Sequence, residues 1–160
     1  MVFDGSVDAK TGVSLKGNMY WLASSETEFL LSFDFTGERF KRFYLPSLPP
    51  IFNLGKNVLS VVRDEQFSVL YQNFRTLKMN MWMTTNEIDV EVALLWKKSL
   101  TEDFNVRNRS LLVCMSSLFH EEKKLAVCCN LNRDMVTVIG QHDTHRGGST
   151  VCDGGARDPG

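Results

Sequence analysis

Two neighbouring stretches decide the fold: Gly12-Val13-Ser14-Leu15-Lys16-Gly17-Asn18-Met19-Tyr20-Trp21-Leu22-Ala23, and Phe29-Leu30-Leu31-Ser32-Phe33-Asp34-Phe35. The first begins with a short alternating run, Val13 to Lys16, and meets Gly17-Asn18, a pair suited to a tight hairpin turn. Met19 to Ala23 then returns with the aromatic content of a packed pleated surface. After the polar break Ser24 to Thr27, the second stretch places Phe29, Leu31, Phe33 and Phe35 on one side of a strand. Thr36-Gly37-Glu38 is read as the next turn. Arg39 to Leu45 completes a group of antiparallel strands, which Pro46, Pro49 and Pro50 end.

The same grammar recurs twice further along the chain. Val58 to Val62 is a buried-type strand, Arg63 to Gln66 a polar turn and Phe67 to Tyr71 the return. Lys78 to Thr84 alternates, with Met79, Met81 and Met83 on one face. Ala93-Leu94-Leu95-Trp96 is read either as the fourth strand of this group or as an irregular connector. The third round has Leu111 to Phe119, the charged turn His120 to Lys124, Leu125 to Cys129, a turn over Asn130 to Asp134, and Met135 to Ile139. The first turns of the rounds fall near Gly17, Asp64 and Glu122, irregular but around the roughly 50 residues of a kelch-like blade. Three or four strands per round suit a four-stranded propeller blade. Periodicity alone leaves a β-sandwich equally open. Propellers close with about four to eight blades, and this chain supplies about three, so an incomplete all-β propeller-like set is expected.

Bulk properties narrow the function. The chain has 160 residues, 43% hydrophobic and 23% charged, with a formal net charge of -1. That is enough for one domain with a core. No basic excess exists to neutralise phosphates, which argues against nucleic acid as a partner. No apolar run approaches the roughly 18 residues of a membrane span, and MVFDGSVDAK carries no signal-peptide stretch. An intracellular setting, cytoplasmic or nuclear, is expected, with reduced thiols.

Each chemical motif is better read as structure. Cys114, Cys128, Cys129 and Cys152 contain no CxxC spacing, and His142 and His145 sit in a glycine-rich stretch apart from His120, so no metal site is expected. Cys128 and Cys129 in one strand would point to opposite faces. Asp64-Glu65 and Glu121-Glu122 are turn carboxylates beside basic residues, without the desolvation that separates catalytic pKa values. Gly147-Gly148 and Gly154-Gly155 neither follow a strand nor open a helix, so they form no phosphate loop. Trp21 and Trp82, mid-strand, are expected in the core, while Trp96 beside Lys97-Lys98 is left open between core and surface. No catalytic residue and no cofactor is assigned, and the chain is not read as an enzyme.

The ordered segments together resemble the F-box-associated domain of plant F-box and F-box-kelch proteins. Gly12 to Ala23 is similar to that family's GVSLKGNTYW segment, and Leu31 to Phe40 to its FDFTxERF segment. The likeness runs on through Leu59 to Gln66, Met81 to Thr85, Ala93 to Lys98, Glu121 to Cys129 and Val136 to Gly140. It implies a propeller-like domain over residues 12–140, preceded by an N-terminal extension (1–11); the glycine-rich, apolar-poor composition of 141–160 predicts a disordered tail. The likeness also implies a role in capturing a protein substrate for a cullin-based ubiquitin ligase, with the Skp adaptor engaged only if an F-box is supplied elsewhere. No leucine-rich F-box pattern precedes Gly12, and the family pattern lapses after Gly140, so a truncated product is expected. The alternative is a stand-alone β interaction domain, or a competitor for the substrates of longer relatives.

Overall fold

The computed structural model describes residues 5–7, 12–46, 55–85, 93–103, 114–130, 135–140 and 150–151. The strands are β1 (Ser6–Val7), β2 (Val13–Leu15), β3 (Asn18–Ser24), β4 (Glu28–Asp34), β5 (Arg39–Tyr44), β6 (Gly55–Val62), β7 (Gln66–Asn73), β8 (Lys78–Thr84), β9 (Trp96–Asp103), β10 (Cys114–His120), β11 (Leu125–Asn130), β12 (Met135–Gly140) and β13 (Thr150–Val151). All pairings are antiparallel and fall into three separate sheets. The second and third sheets are simple meanders in chain order, β6 to β9 and β10 to β13. In the first, β1 and β2 both pair with one edge of β3, so two short pieces share the place of a single strand. Each sheet is thus four strands wide, and the set is an open row of three blades. All-β architecture in blade-like sheets agrees with the sequence reading.

Strand alternation builds the contacts between blades. On β7, Phe67 and Val69 point to the first blade, while Ser68 and Leu70 point to the third. β7 is accordingly buried at six consecutive positions, as expected of a strand covered on both faces. The first seam gathers Leu15, Tyr20, Leu22, Leu30 and Phe43 against Leu59, Phe67, Val69 and Leu94. Tyr20 and Phe67 meet edge to face at 4.6 Å between centroids. The second seam joins Val58, Val62, Leu70, Met79, Met81 and Met83 to Phe119, Ala126 and Cys128. The methionine alternation read from the sequence therefore lies on the side facing the third blade.

Some local readings needed adjusting. The first hairpin turns on Lys16-Gly17, not on Gly17-Asn18, because Asn18 already pairs with Leu15. Both turn residues have positive φ, 49° and 81°, the twist that fits right-handed strands. Arg63 and Asp64 adopt the same left-handed backbone in the β6–β7 turn, closed by Glu65 N–H to the Val62 carbonyl at 3.2 Å. The fourth strand of the second blade begins at Trp96 and runs to Asp103, with Ala93 to Leu95 as its irregular approach. Ser6–Val7 and Thr150–Val151 add ladder segments from the two stretches read as extension and tail.

Gly17 and Gly140 hold positive φ for different reasons. A Cβ on Gly17 would meet nothing within 4 Å, whereas one on Gly140 would lie 2.1 Å from the Lys124 carbonyl oxygen. Gly17→Ala should then cost about 1 kcal/mol from backbone conformation alone. Gly140→Ala should cost about 2 kcal/mol or more, because β12 must also retreat from β11. Urea denaturation of both variants measures the order; equal losses would contradict it.

Candidate interaction surface

The residues singled out in the sequence do not converge on one place. His120 closes β10 and accepts the Lys123 N–H at Nδ1, 3.4 Å away, within its own turn. His142, His145, Cys152, Gly147-Gly148 and Gly154-Gly155 lie outside the described residues. Cys128 is buried in the second seam, and Cys129 on the opposite face is half-buried. Trp21 and Trp82 are half-buried, not core. Among the described residues the fully covered aromatics are Tyr20 and Phe67, and Tyr20 sits one residue out of phase with Trp21. Trp96 packs on the first seam and donates from Nε1 to the Tyr44 carbonyl at 2.9 Å, tying the second blade to the first.

The turn carboxylates serve as links between blades. Glu122 accepts from Arg63 Nη2 at 3.1 Å, and Glu121 from Lys97 Nζ at 2.7 Å. The Lys97 hydrogen bond holds the Glu121 carboxyl below its ordinary value. A shift in that direction favours the ionised form, opposite to what a general acid needs. Asp34 closes the β4–β5 turn by accepting from Thr36 N at 2.9 Å and Gly37 N at 3.1 Å. The Gly37 N–H is the main cause of its lowered pKa. Asn73 makes the same kind of turn through Arg75 N and Thr76 N, both at 2.9 Å.

Two outward sheet faces carry apolar groups. On the third blade, Leu118, Val127 and Val138 form one cross-strand row, exposed by 64%, 38% and 41%. On the first, Phe33 packs against Phe35 and Phe40 at 5.0 Å each, Arg42 lies over the Phe29 ring, and Tyr44 is 89% exposed.

A polar recess sits where the first and second blades meet. Its cavity of about 380 Å³ is lined by Ser6, Val7, Leu22 to Ser24, Glu28, Gly55 to Asn57 and Phe74. Asn57 projects from β6 toward the first blade and donates from Nδ2 to Glu28 Oε2. Burial pushes the Glu28 carboxyl above its ordinary value of 4.5, against the smaller opposing pull of the Asn57 hydrogen bond. Sequence reading missed this pair. Glu28 sits at a strand start after Ser24 to Thr27, where a solvated carboxylate is the default, and Asn57 is 29 residues away.

Residues 2–149 match the family model described as the F-box associated beta propeller domain. The chain belongs to that family. Relatives of this F-box-associated domain include, in Arabidopsis thaliana, "Putative F-box only protein 9", 47% identical over 143 residues, covering 87% of this chain and 37% of the relative. F-box protein At3g22700 is 47% identical over 122 residues, 74% of this chain and 34% of that protein. "Putative F-box/kelch-repeat protein At3g22730" is 43% identical over 136 residues, 82% and 35% respectively. The chain therefore spans a little over a third of the length of these relatives. No solved structure matches the chain. Among the described residues there is no helix long and apolar enough to cross a membrane.

The raised Glu28 pKa has a definite sign in stability. The folded chain keeps a proton that the unfolded chain releases above about pH 4.5, so this group's contribution falls as pH rises through its folded pKa. Glu28→Gln removes that loss and keeps an acceptor for Asn57. Calorimetric melts should show the variant gaining on the parent as pH rises above about 4.5. A gap that narrows with rising pH would show that burial is not the controlling cause.

Proposed function

We propose that this domain is the substrate-recognition module of an F-box-type ubiquitin ligase assembly, acting by binding a protein and performing no chemistry itself. The observation that supports it most is the family match over residues 2–149, together with relatives whose names mark them as F-box proteins. The blade architecture adds to it: sheets packed on one another carry exposed turns, the usual place for binding residues in interaction domains. Of the carboxylates that were candidates for chemistry, Glu121 and Glu122 are occupied as links between blades. Contact with a Skp adaptor would come from an F-box, and the substrate from this domain. A near-neutral chain whose Cys128 and Cys129 are thiols outside any disulfide suits an intracellular protein partner better than nucleic acid.

The test joins the chain to an F-box of a relative and compares it with the unlinked chain in plant extract. Both should capture the same protein, and only the linked form should promote its ubiquitination in a reconstituted ligase. Failure of either form to retain any protein selectively would overturn the reading.

A further inference from the structure

We propose that the recess between the first and second blades is a subsite for a lysine or arginine side chain of the bound protein, with Glu28 and Asn57 as its acceptors. This rests on the recruitment reading and names the chemistry of one contact within it.

Three features point the same way. Asn57 is 6% exposed, and its carboxamide oxygen Oδ1 is buried with no hydrogen-bond partner. Buried acceptors without partners are rare, since each one costs the hydration it gave up. Its other carboxamide atom is committed to Glu28, which fixes Oδ1 as an open acceptor. Glu28 is the second feature: the residue is exposed overall, but its carboxylate is partly buried where it meets Asn57, and it makes no ion pair with a lysine or arginine among the described residues. An ionised carboxylate accepts through several lone pairs, and one hydrogen bond from an amide leaves most of them unused.

The third feature is the shape and lining. A cavity of about 380 Å³ lies in the range of small-ligand sites. Val7, Leu22, Ala23 and Phe74 supply apolar wall beside the two acceptors. That division suits a long side chain with a methylene stem and a cationic head. Lys56, the cation in the described lining, follows the strand alternation to the face opposite Asn57 and is held by an interaction of its own. A partner carboxylate would instead meet Glu28 and the Asn57 oxygen, both repulsive to it.

The seam between the second and third blades gives the contrast. There Ser60 donates to the Ser117 carbonyl, and its Oγ lies 3.1 Å from the Ser117 hydroxyl. That polar link is internally satisfied, whereas the Glu28–Asn57 link keeps an acceptor in reserve.

The probes are N-acetyl-arginine amide and N-acetyl-lysine amide, with N-acetyl-glutamine amide as the uncharged control, titrated into the full chain and followed by amide NMR shifts. Saturable shifts are expected at Leu22, Ala23, Glu28, Lys56, Asn57 and Phe74 with either cation and not with the control. Glu28→Gln should weaken the response at least about tenfold, the scale of one charge-assisted hydrogen bond. Equal shifts with the glutamine compound, or none at these residues, would overturn the assignment. The parent-chain comparison decides the matter even if the variant does not fold. Absent cation-specific shifts, with capture and ubiquitination of a partner intact in the linked chain, would sink the subsite and leave recruitment standing. Cation-specific shifts without any captured protein would do the reverse.

Discussion

Packing of the second blade between its two neighbours is the constraint on which the rest of the structure depends. A lone four-stranded meander has two faces and can satisfy neither by itself. Here β6, β7 and β8 send alternate side chains in opposite directions, Phe67 and Val69 to one seam, Leu70 and Met81 to the other. Full burial of each such side chain is worth about 1.5–3 kcal/mol. Both seams must be formed for that contribution to be complete. The third blade has one face covered by the second, and the outward face of the first keeps only a small buried cluster of Ala23, Phe29 and Leu31. This difference explains why Leu118, Val127 and Val138 lie exposed on a third-blade row while equivalent apolar groups of the second blade do not.

Polar contacts set the angle at which the blades meet. Apolar seams are tolerant of sliding, since area burial has no direction. Glu28 with Asn57, Ser60 with Ser117, Arg63 with Glu122, and Trp96 with the Tyr44 carbonyl each join one blade to the next. The exposed pairs contribute little to stability, because water and salt screen them. Their directional geometry fixes register between sheets that share no ladder. The Glu28–Asn57 pair differs because burial makes its unused acceptor costly. A ligand that supplied donors there would recover part of that cost.

A family resemblance and a physical reading carry different parts of the account. Membership in the F-box-associated family says which assemblies relatives are named for. It does not say how a substrate is held. The turns and the recess between blades follow no blade pattern, so family membership says least about them. The seams are constrained by packing at every position, so they read clearly from one sequence. The recess is constrained by the meeting of two blades and leaves no local trace.

By itself, the sequence determined that the chain is built from antiparallel strands in three rounds, because alternation at Met79, Met81 and Met83 and the turn chemistry near Gly17, Asp64 and Glu122 are local signals. It also marked the two cysteines of β11 as facing apart. Tertiary structure decided which aromatic of Tyr20 and Trp21 is buried, since both sit mid-strand and only the neighbouring blade distinguishes the two faces. It decided that Trp96 opens a strand and that Ser6–Val7 completes the first sheet, because pairing partners lie far along the chain. It alone brought Glu28 to Asn57. Burial of a carboxylate depends on what a distant strand places over it, and no spacing within the chain encodes that.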